Sequence, residues 1–226
     1  MDKILITGSE GLIGKKLVKY YSDKYQILKL DLALGHDLTN EEFVSEWFNN
    51  NRDISSIILL HAYNPVPSKD SVIVEPIDVP TSEIQNYLNI NLLSVFNCCR
   101  YFIKHNKSGN IINISSLYGI KSPKHHIYNN FVKPIGYSLS KSSIISLSKY
   151  LSSYYAPDFR INTIIFGGLE DEKQDANFVK KYSENVPMKR LMKSEEIFSV
   201  FDFLLDVKNT YTTGTEIIVD GGWTSW

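Results

Sequence analysis

Gly8, Gly11 and Gly14 recur at every third position in the stretch Ile4 to Gly14, ILITGSEGLIG. Ile4-Leu5-Ile6 before them is a short apolar run, as a buried strand requires. After them Leu12, Ile13, Leu17, Val18, Tyr20 and Tyr21 recur at helical spacing, with Lys15, Lys16 and Lys19 on the opposite face. Strand, glycine turn and helix in this order form a setting for a dinucleotide. Small residues let the backbone approach a pyrophosphate, and the helix start offers it free N–H groups. Asp31 ends the next strand-like run, 17 residues after Gly14. A carboxylate there can accept hydrogen bonds from the ribose hydroxyls of an adenosine and would repel a 2′-phosphate, which favours NAD over NADP. Lys29, on the same strand face, is the nearby cation that could soften this preference, and Glu10 adds a second repulsion.

The elements that must position these groups alternate. Strands are expected over Ile4–Thr7, Gln26–Asp31, Ser56–His61, Asn110–Ser115, Arg160–Phe166 and Glu216–Val219. Helices are expected over Leu12–Tyr21, Asn40–Asn50, Ser82–Lys104, Tyr137–Tyr155 and Ser194–Leu205. This rhythm predicts an α/β fold, a Rossmann-like doubly wound parallel sheet in a single domain over residues 1–226. Loops are expected at Asn64–Pro80, Ile120–Pro134 and Gly167–Pro187, all after strand C-termini. Only five residues separate Asp31 from Asp37, while a parallel crossover needs about a dozen.

The bulk numbers narrow the function classes. The chain has 226 residues, 43% of them apolar, and a net charge of −1, which suits one α/β domain and gives no field for nucleic acid or an anionic membrane. No apolar run reaches the ~20 residues that span a bilayer. Met1-Asp2-Lys3 leads straight into a strand, so no signal peptide is expected and the location is read as cytoplasmic. Cys98 and Cys99 are adjacent in a helical stretch and read as core residues. No metal is expected, since the ligand pairs of structural sites are absent and His125-His126 is a weak candidate.

Several segments together resemble the short-chain dehydrogenase/reductase family over essentially the whole length. Thr7 to Gly14 resembles its cofactor loop, and His36-Asp37-Leu38 its Asp-hydrophobic pair beside the adenine. Asn91 to Phe96 (NLLSVF) is similar to the helix bearing its asparagine, and Ile111 to Gly119 (IINISSLYG) to the strand delivering its serine. Tyr137 to Lys141 (YSLSK) matches its Tyr-x-x-x-Lys, and Thr213 to Gly222 its C-terminal signature. The motif occurs three times, at Tyr20/Lys24, Tyr25/Lys29 and Tyr137/Lys141, but only Tyr137 opens an amphipathic helix with its lysine one turn along.

The resemblance implies a catalytic set of Asn91, Ser116, Tyr137 and Lys141. A free phenol has a pKa near ~10, and an ammonium and an oxidised nicotinamide nearby would favour phenolate. Tyr137 would exchange the proton of an alcohol or ketone, and Ser116 would hold the substrate oxygen, with Ser115 the rival if the register slips. Lys141 would bond the nicotinamide ribose, and Asn91 would anchor a water relay. The implied cofactor contacts are Gly8, Ser9, Gly11, Leu12, Ile13, Gly14, Asp31, Asp37, Leu38, His61, Ala62, Tyr63, Tyr137, Lys141, Gly167 and Leu169. Departures are the extended-type glycine spacing, the short Asp31–Asp37 interval, which implies that the family's third strand and its crossover helix are missing or vestigial, Leu60-His61-Ala62-Tyr63 in place of Asn-Asn-Ala-Gly, Phe166-Gly167 in place of Pro-Gly, and the insert Ile120 to Pro134. That insert carries Lys121, Lys124, His125, His126 and Lys133. It resembles oxidoreductases of bacterial flagellin and surface-glycan modification and suits an anionic sugar, a solvated loop or a subunit contact being the alternatives.

The expectation is an NAD-dependent enzyme interconverting an alcohol and a ketone on a small-molecule, sugar-derived substrate. An epimerase that keeps NAD within its cycle and a non-catalytic dinucleotide-binding module are the alternatives. Ile144, Ile145, Leu147, Leu151 and Tyr154 make the Tyr137–Tyr155 helix apolar over more than one face, which predicts a homodimer or homotetramer, a fully buried helix in a monomer being the other reading.

Overall fold

The structure is a computed structural model that describes residues 1–65, 74–128 and 131–226. Parts of two expected loops, 66–73 and 129–130, lie outside the described residues. The strands are β1 Lys3–Thr7, β2 Gln26–Leu30, β3 Ile54–Leu59, β4 Gly109–Ser116, β5 Phe159–Phe166 and β6 Glu216–Val219. They form one parallel sheet in the order β2-β1-β3-β4-β5-β6. The chain direction across the sheet reverses between β1 and β3, so the crevice for a ligand opens at their carboxyl ends. After β2 comes only a short helical turn, Leu32–Leu34, before helix α2 crosses to β3. The expected loss of a strand is thus real, and it leaves β2, with Asp31 at its end, on the sheet edge.

The helices are α1 Leu12–Tyr21, α2 Glu41–Asn50, α3 Thr81–Leu88, α4 Ser94–His105, α5 Ile135–Tyr155, α6 Ala176–Glu184 and α7 Phe198–Leu205. Alternate strand residues serve opposite faces. Leu5, Ile57, Ile111 and Ile161 pack with Val44, Phe48, Cys98, Cys99, Phe102 and Ile144 of α2, α4 and α5. Ile4, Ile6, Ile58, Ile112 and Ile164 pack with Leu17 and Tyr21 of α1 and with Phe201 and Leu204 of α7. None of the described helices is long and apolar enough to cross a membrane.

Two expectations are corrected. The single helix expected over Ser82–Lys104 is broken by a π turn, Asn89–Leu93, between α3 and α4. The expected loop Gly167–Pro187 contains α6. Asp175 caps α6 by accepting the Phe178 N–H at 2.9 Å. Phe178, Val179 and Tyr182 supply its apolar stripe, which packs on an aromatic cluster around Tyr118, Tyr137 and Trp223. Nine residues flanked by turns give too short a period to stand out.

β4 and β5 run on past the end of β3. The last β3 partner is Asn113, opposite Leu59, while β4 pairs with β5 as far as Ser116 and Phe166. Ser116 therefore stands at the rim of the crevice, where the start of α5 meets it.

Candidate active site

The glycine turn is shaped for close approach. Gly8 has φ +63°, and a Cβ there would lie 2.8 Å from the His61 backbone nitrogen. A Cβ on Gly14 would fall 2.1 Å from the Gly8 carbonyl oxygen. Gly11 caps α1 with no side-chain hydrogen bond, and the first turn, from Leu12 and Ile13, has no acidic residue. The Ser9 hydroxyl is buried and without a partner in the structure. An uncapped helix start, a cradle that side chains would fill and an orphaned hydroxyl fit a pyrophosphate.

Asp31 is fixed beside this turn. Its Oδ1 accepts the Ala33 N–H at 2.8 Å and its Oδ2 the Glu10 N–H at 2.9 Å, leaving lone pairs for ribose hydroxyls. Lys29 pairs with Glu10 at 3.0 Å, so the cation that could soften the cofactor preference and the second repulsive carboxylate offset each other. Asp37 is exposed, and its Oδ1 accepts the Thr39 N–H and hydroxyl at 2.9 and 2.6 Å. The Leu38 side chain lies in the core, so only its backbone is left for a ligand.

The departure at Leu60-His61-Ala62-Tyr63 has a local explanation. The Thr7 hydroxyl accepts the Leu60 N–H at 3.2 Å and stands 2.6 Å from His61 Nδ1. His61 Nε2 stands 2.8 Å from the Ser94 hydroxyl, which donates to the Ile90 carbonyl at 2.5 Å. Since the Ser94 proton is spent, Nε2 donates and Nδ1 accepts, which fixes a neutral imidazole. Burial, with Lys141 adding to it, holds its pKa down to about 3. His61 thus ties β1, β3 and α4 together under the glycine turn. Ala62 and Tyr63 follow it on the open side of the crevice.

Asn91 sits in the π turn, where Ser94 N–H bonds back to the Asn89 carbonyl and the extra residue in the turn brings the side chain inward. It is 1% exposed. Its Oδ1 accepts the Tyr63 N–H at 2.6 Å, and its Nδ2 donates to the Tyr63 carbonyl at 3.1 Å and to the Ser140 hydroxyl at 3.0 Å. Both amide protons are used, so the side chain positions other segments and has no proton left to donate to a relay.

The two adjacent serines separate. Ser115 is buried and donates to the Lys141 carbonyl at 2.7 Å, pinning α5 to β4. Ser116 lies at the rim, its hydroxyl accepting the Tyr118 N–H at 3.2 Å and hydrogen-bonded with the Tyr137 side chain. Burial raises the Tyr137 pKa and outweighs the Ser116 hydrogen bond. Lys141 donates to the Ile114 carbonyl at 3.0 Å, stands 5.9 Å from the Tyr137 ring centre, and is itself pushed by burial down to about 8.

The insert is not a solvated loop. Ile127 is fully buried, the Tyr118 and Tyr128 hydroxyls meet at 2.8 Å, and the Tyr128 ring stacks on Phe178 at 5.4 Å. Lys124 turns to Asn185 Oδ1 at 2.9 Å, and Lys121, His125 and His126 are exposed. Lys133 alone among these cations reaches the site, 4.2 Å over the Tyr137 ring centre. In the sequence it is one of five basic residues of the insert, and only the packing of the insert singles it out. On the far wall Gly167 N–H donates to the Val219 carbonyl at 2.9 Å, and Leu169 forms a parallel bridge with Met192.

Known proteins share this architecture. A family model described as enoyl-(acyl carrier protein) reductase matches residues 14–224. Post-translational flagellin modification protein A of Campylobacter coli is 27% identical, covering 97% of each chain. A 3-oxoacyl-(acyl-carrier-protein) reductase of Aquifex aeolicus is 26% identical over 97% of this chain and 86% of its own. A short-chain dehydrogenase of Leptospira borgpetersenii solved with bound NAD+ superposes with a TM-score of 0.87 at 27% identity, covering 99% of this chain and 92% of its own. ElxO with bound NADP shares the fold, with a TM-score of 0.81 at 22% identity over 100% of this chain and 99% of its own.

If Asn91 is the tie between the β3 loop and α5, Asn91→Ala should cost about 2–3 kcal/mol in urea unfolding, because it orphans buried partners on both segments. A loss within ~0.5 kcal/mol would show that the three bonds carry no net stability.

Proposed function

Since the chain belongs to the short-chain dehydrogenase/reductase family and is an NAD(P)-dependent oxidoreductase, we propose that it interconverts an alcohol and a ketone on a polar, sugar-derived substrate with NAD(H). The observation that carries this is the meeting of Ser116, Tyr137 and Lys141 at the rim of the crevice that the glycine turn and Asp31 also line. Bound there, the nicotinamide would supply or take the hydride.

Ser116 would hold the substrate oxygen through its hydroxyl. Burial keeps the Tyr137 phenol protonated at neutral pH, the state that donates to a ketone oxygen as hydride arrives. Oxidation needs the phenolate, which the nearby ammonium groups of Lys141 and Lys133 favour. Asn91 holds Tyr63, at the cofactor wall, against Ser140 in the second turn of α5. The sugar-derived substrate rests on the likeness to proteins of flagellin and surface-glycan modification. The extended-type spacing of Gly8, Gly11 and Gly14 supports an epimerase as the second reading.

Tyr137→Phe should bind NAD(H) like the wild type and lose at least ~100-fold in turnover against keto sugars and nucleotide sugars. Full activity in that variant would remove Tyr137 from the mechanism. Product formed without a steady change in nicotinamide absorbance would mark the epimerase.

Cofactor choice is assigned to Asp31. NAD(H) should bind at least tenfold tighter than NADP(H), a difference of about 1.4 kcal/mol, and Asp31→Ala should narrow the gap. Equal or tighter NADP(H) binding by the wild type would sink this assignment.

The proposal extends to a cytoplasmic homodimer or homotetramer. Ile144, Ile145 and Leu151 are spent on the core, but Leu139, Tyr150 and Tyr154 of α5 and Phe96 of the neighbouring α4 remain exposed. Light scattering at micromolar concentration should give at least twice the monomer mass, and a monomer would refute the assembly.

A further inference from the structure

Lys133 is 9% exposed and stands beneath the substrate side of the crevice. It donates to Asn64 Oδ1 at 2.5 Å and to the Pro65 carbonyl at 3.5 Å. Lys141 donates to the Ile114 carbonyl. All three partners are neutral. Among the described residues the ion pairs are Lys24–Asp202, Lys29–Glu10, Arg100–Glu41, Lys149–Glu216 and Arg190–Glu196, so neither buried ammonium has a carboxylate. Two cations on one tyrosine, without counter-ions, is a costly arrangement. Burial pushes each group down to about 8, and at Lys133 the Lys141 charge adds to the lowering. An oxidised nicotinamide would add a third positive charge.

Resting on the oxidoreductase reading, we propose that Lys133 receives an anionic group of the substrate close to its reacting carbon, so that the substrate is a hydroxy acid or oxo acid with its carboxylate a few bonds from the carbinol or ketone. Lys133 lies over the ring face of Tyr137 rather than at a proton-transfer position, which suits a binding role. The reacting oxygen is held at Ser116 and Tyr137, and the ammonium is 4.2 Å from that same ring. The anion it meets must therefore be close to the reacting carbon, and a phosphate at the far end of a nucleotide sugar is too remote. The other cations of the insert do not compete, since Lys124 lies over the Trp223 ring at 4.9 Å and the rest are in solvent.

The bland role for Lys133 is a clamp on Asn64 and Pro65. Lys133→Gln separates the two, because an amide can still donate to Asn64 Oδ1 while the charge is gone. Oxalate, malonate and inorganic phosphate are titrated calorimetrically into the wild type and this variant, each with and without saturating NAD+, and thermal unfolding is followed in parallel. The expected result is binding of oxalate or malonate to the wild type, raised unfolding temperature with the anion, and at least tenfold weaker binding to Lys133→Gln. The variant's NAD+ affinity and anion-free unfolding temperature should stay unchanged. Equal anion affinity in the variant, no binding of either dicarboxylate to the wild type, or binding of phosphate alone would overturn the proposal. A lower anion-free unfolding temperature with unaltered anion affinity would assign the clamp instead. The titrations without NAD+ register the anion site separately, so a failure of the cofactor reading is seen as lost NAD+ binding alone.

Discussion

Three hydrogen bonds from one buried amide hold the candidate site in register. Asn91 grips the backbone of Tyr63 on both sides and reaches Ser140, whose hydroxyl donates to the Tyr137 carbonyl at 2.8 Å. The loop leaving β3 forms one wall of the crevice, and α5 carries the tyrosine and lysine. They come from segments far apart in the chain, and no strand pairing links them directly. A π turn is needed to bring Asn91 inward, and this gives a physical reason for the break in an otherwise continuous helix. His61 does the same work one layer lower, tying β1, β3 and α4 beneath the glycine turn with a neutral ring.

Charge is the second organising feature. The site keeps its histidine neutral, its tyrosine protonated and two lysines without carboxylate partners. Each of these follows from burial at the carboxyl ends of a parallel sheet, a place with few solvent contacts and no acidic side chain among the described residues close to the lysines. Positive charge that the protein leaves uncompensated becomes available to an anionic ligand.

Much of this was legible in the sequence. Apolar runs located all six strands, because both faces of the sheet are covered, and helical spacing located most helices, because each buries one stripe. The short interval from Asp31 to Asp37, set against the family pattern, disclosed the missing strand. The order of Gly8, Asn91, Ser116, Tyr137 and Lys141, through the family resemblance, marked the candidate site. What escaped depended on contacts distant in sequence. The π turn leaves no trace in the hydrophobic pattern, and α6 is short. The burial that raises the Tyr137 pKa is likewise set by contacts distant in sequence. Lys133 was visible as a cation in an insert, but its distinction from Lys124 and Lys121 rests on where the insert packs.

The central claim is that the glycine turn, Asp31 and the Ser116–Tyr137–Lys141 group serve a single reaction. A crystal structure of the protein with NAD+ tests it most directly. The account predicts adenosine ribose hydroxyls on the Asp31 carboxylate, the pyrophosphate at the start of α1, and the nicotinamide ring facing Tyr137 and Ser116. A nicotinamide directed away from Tyr137, or an adenosine held elsewhere than at Asp31, would contradict it.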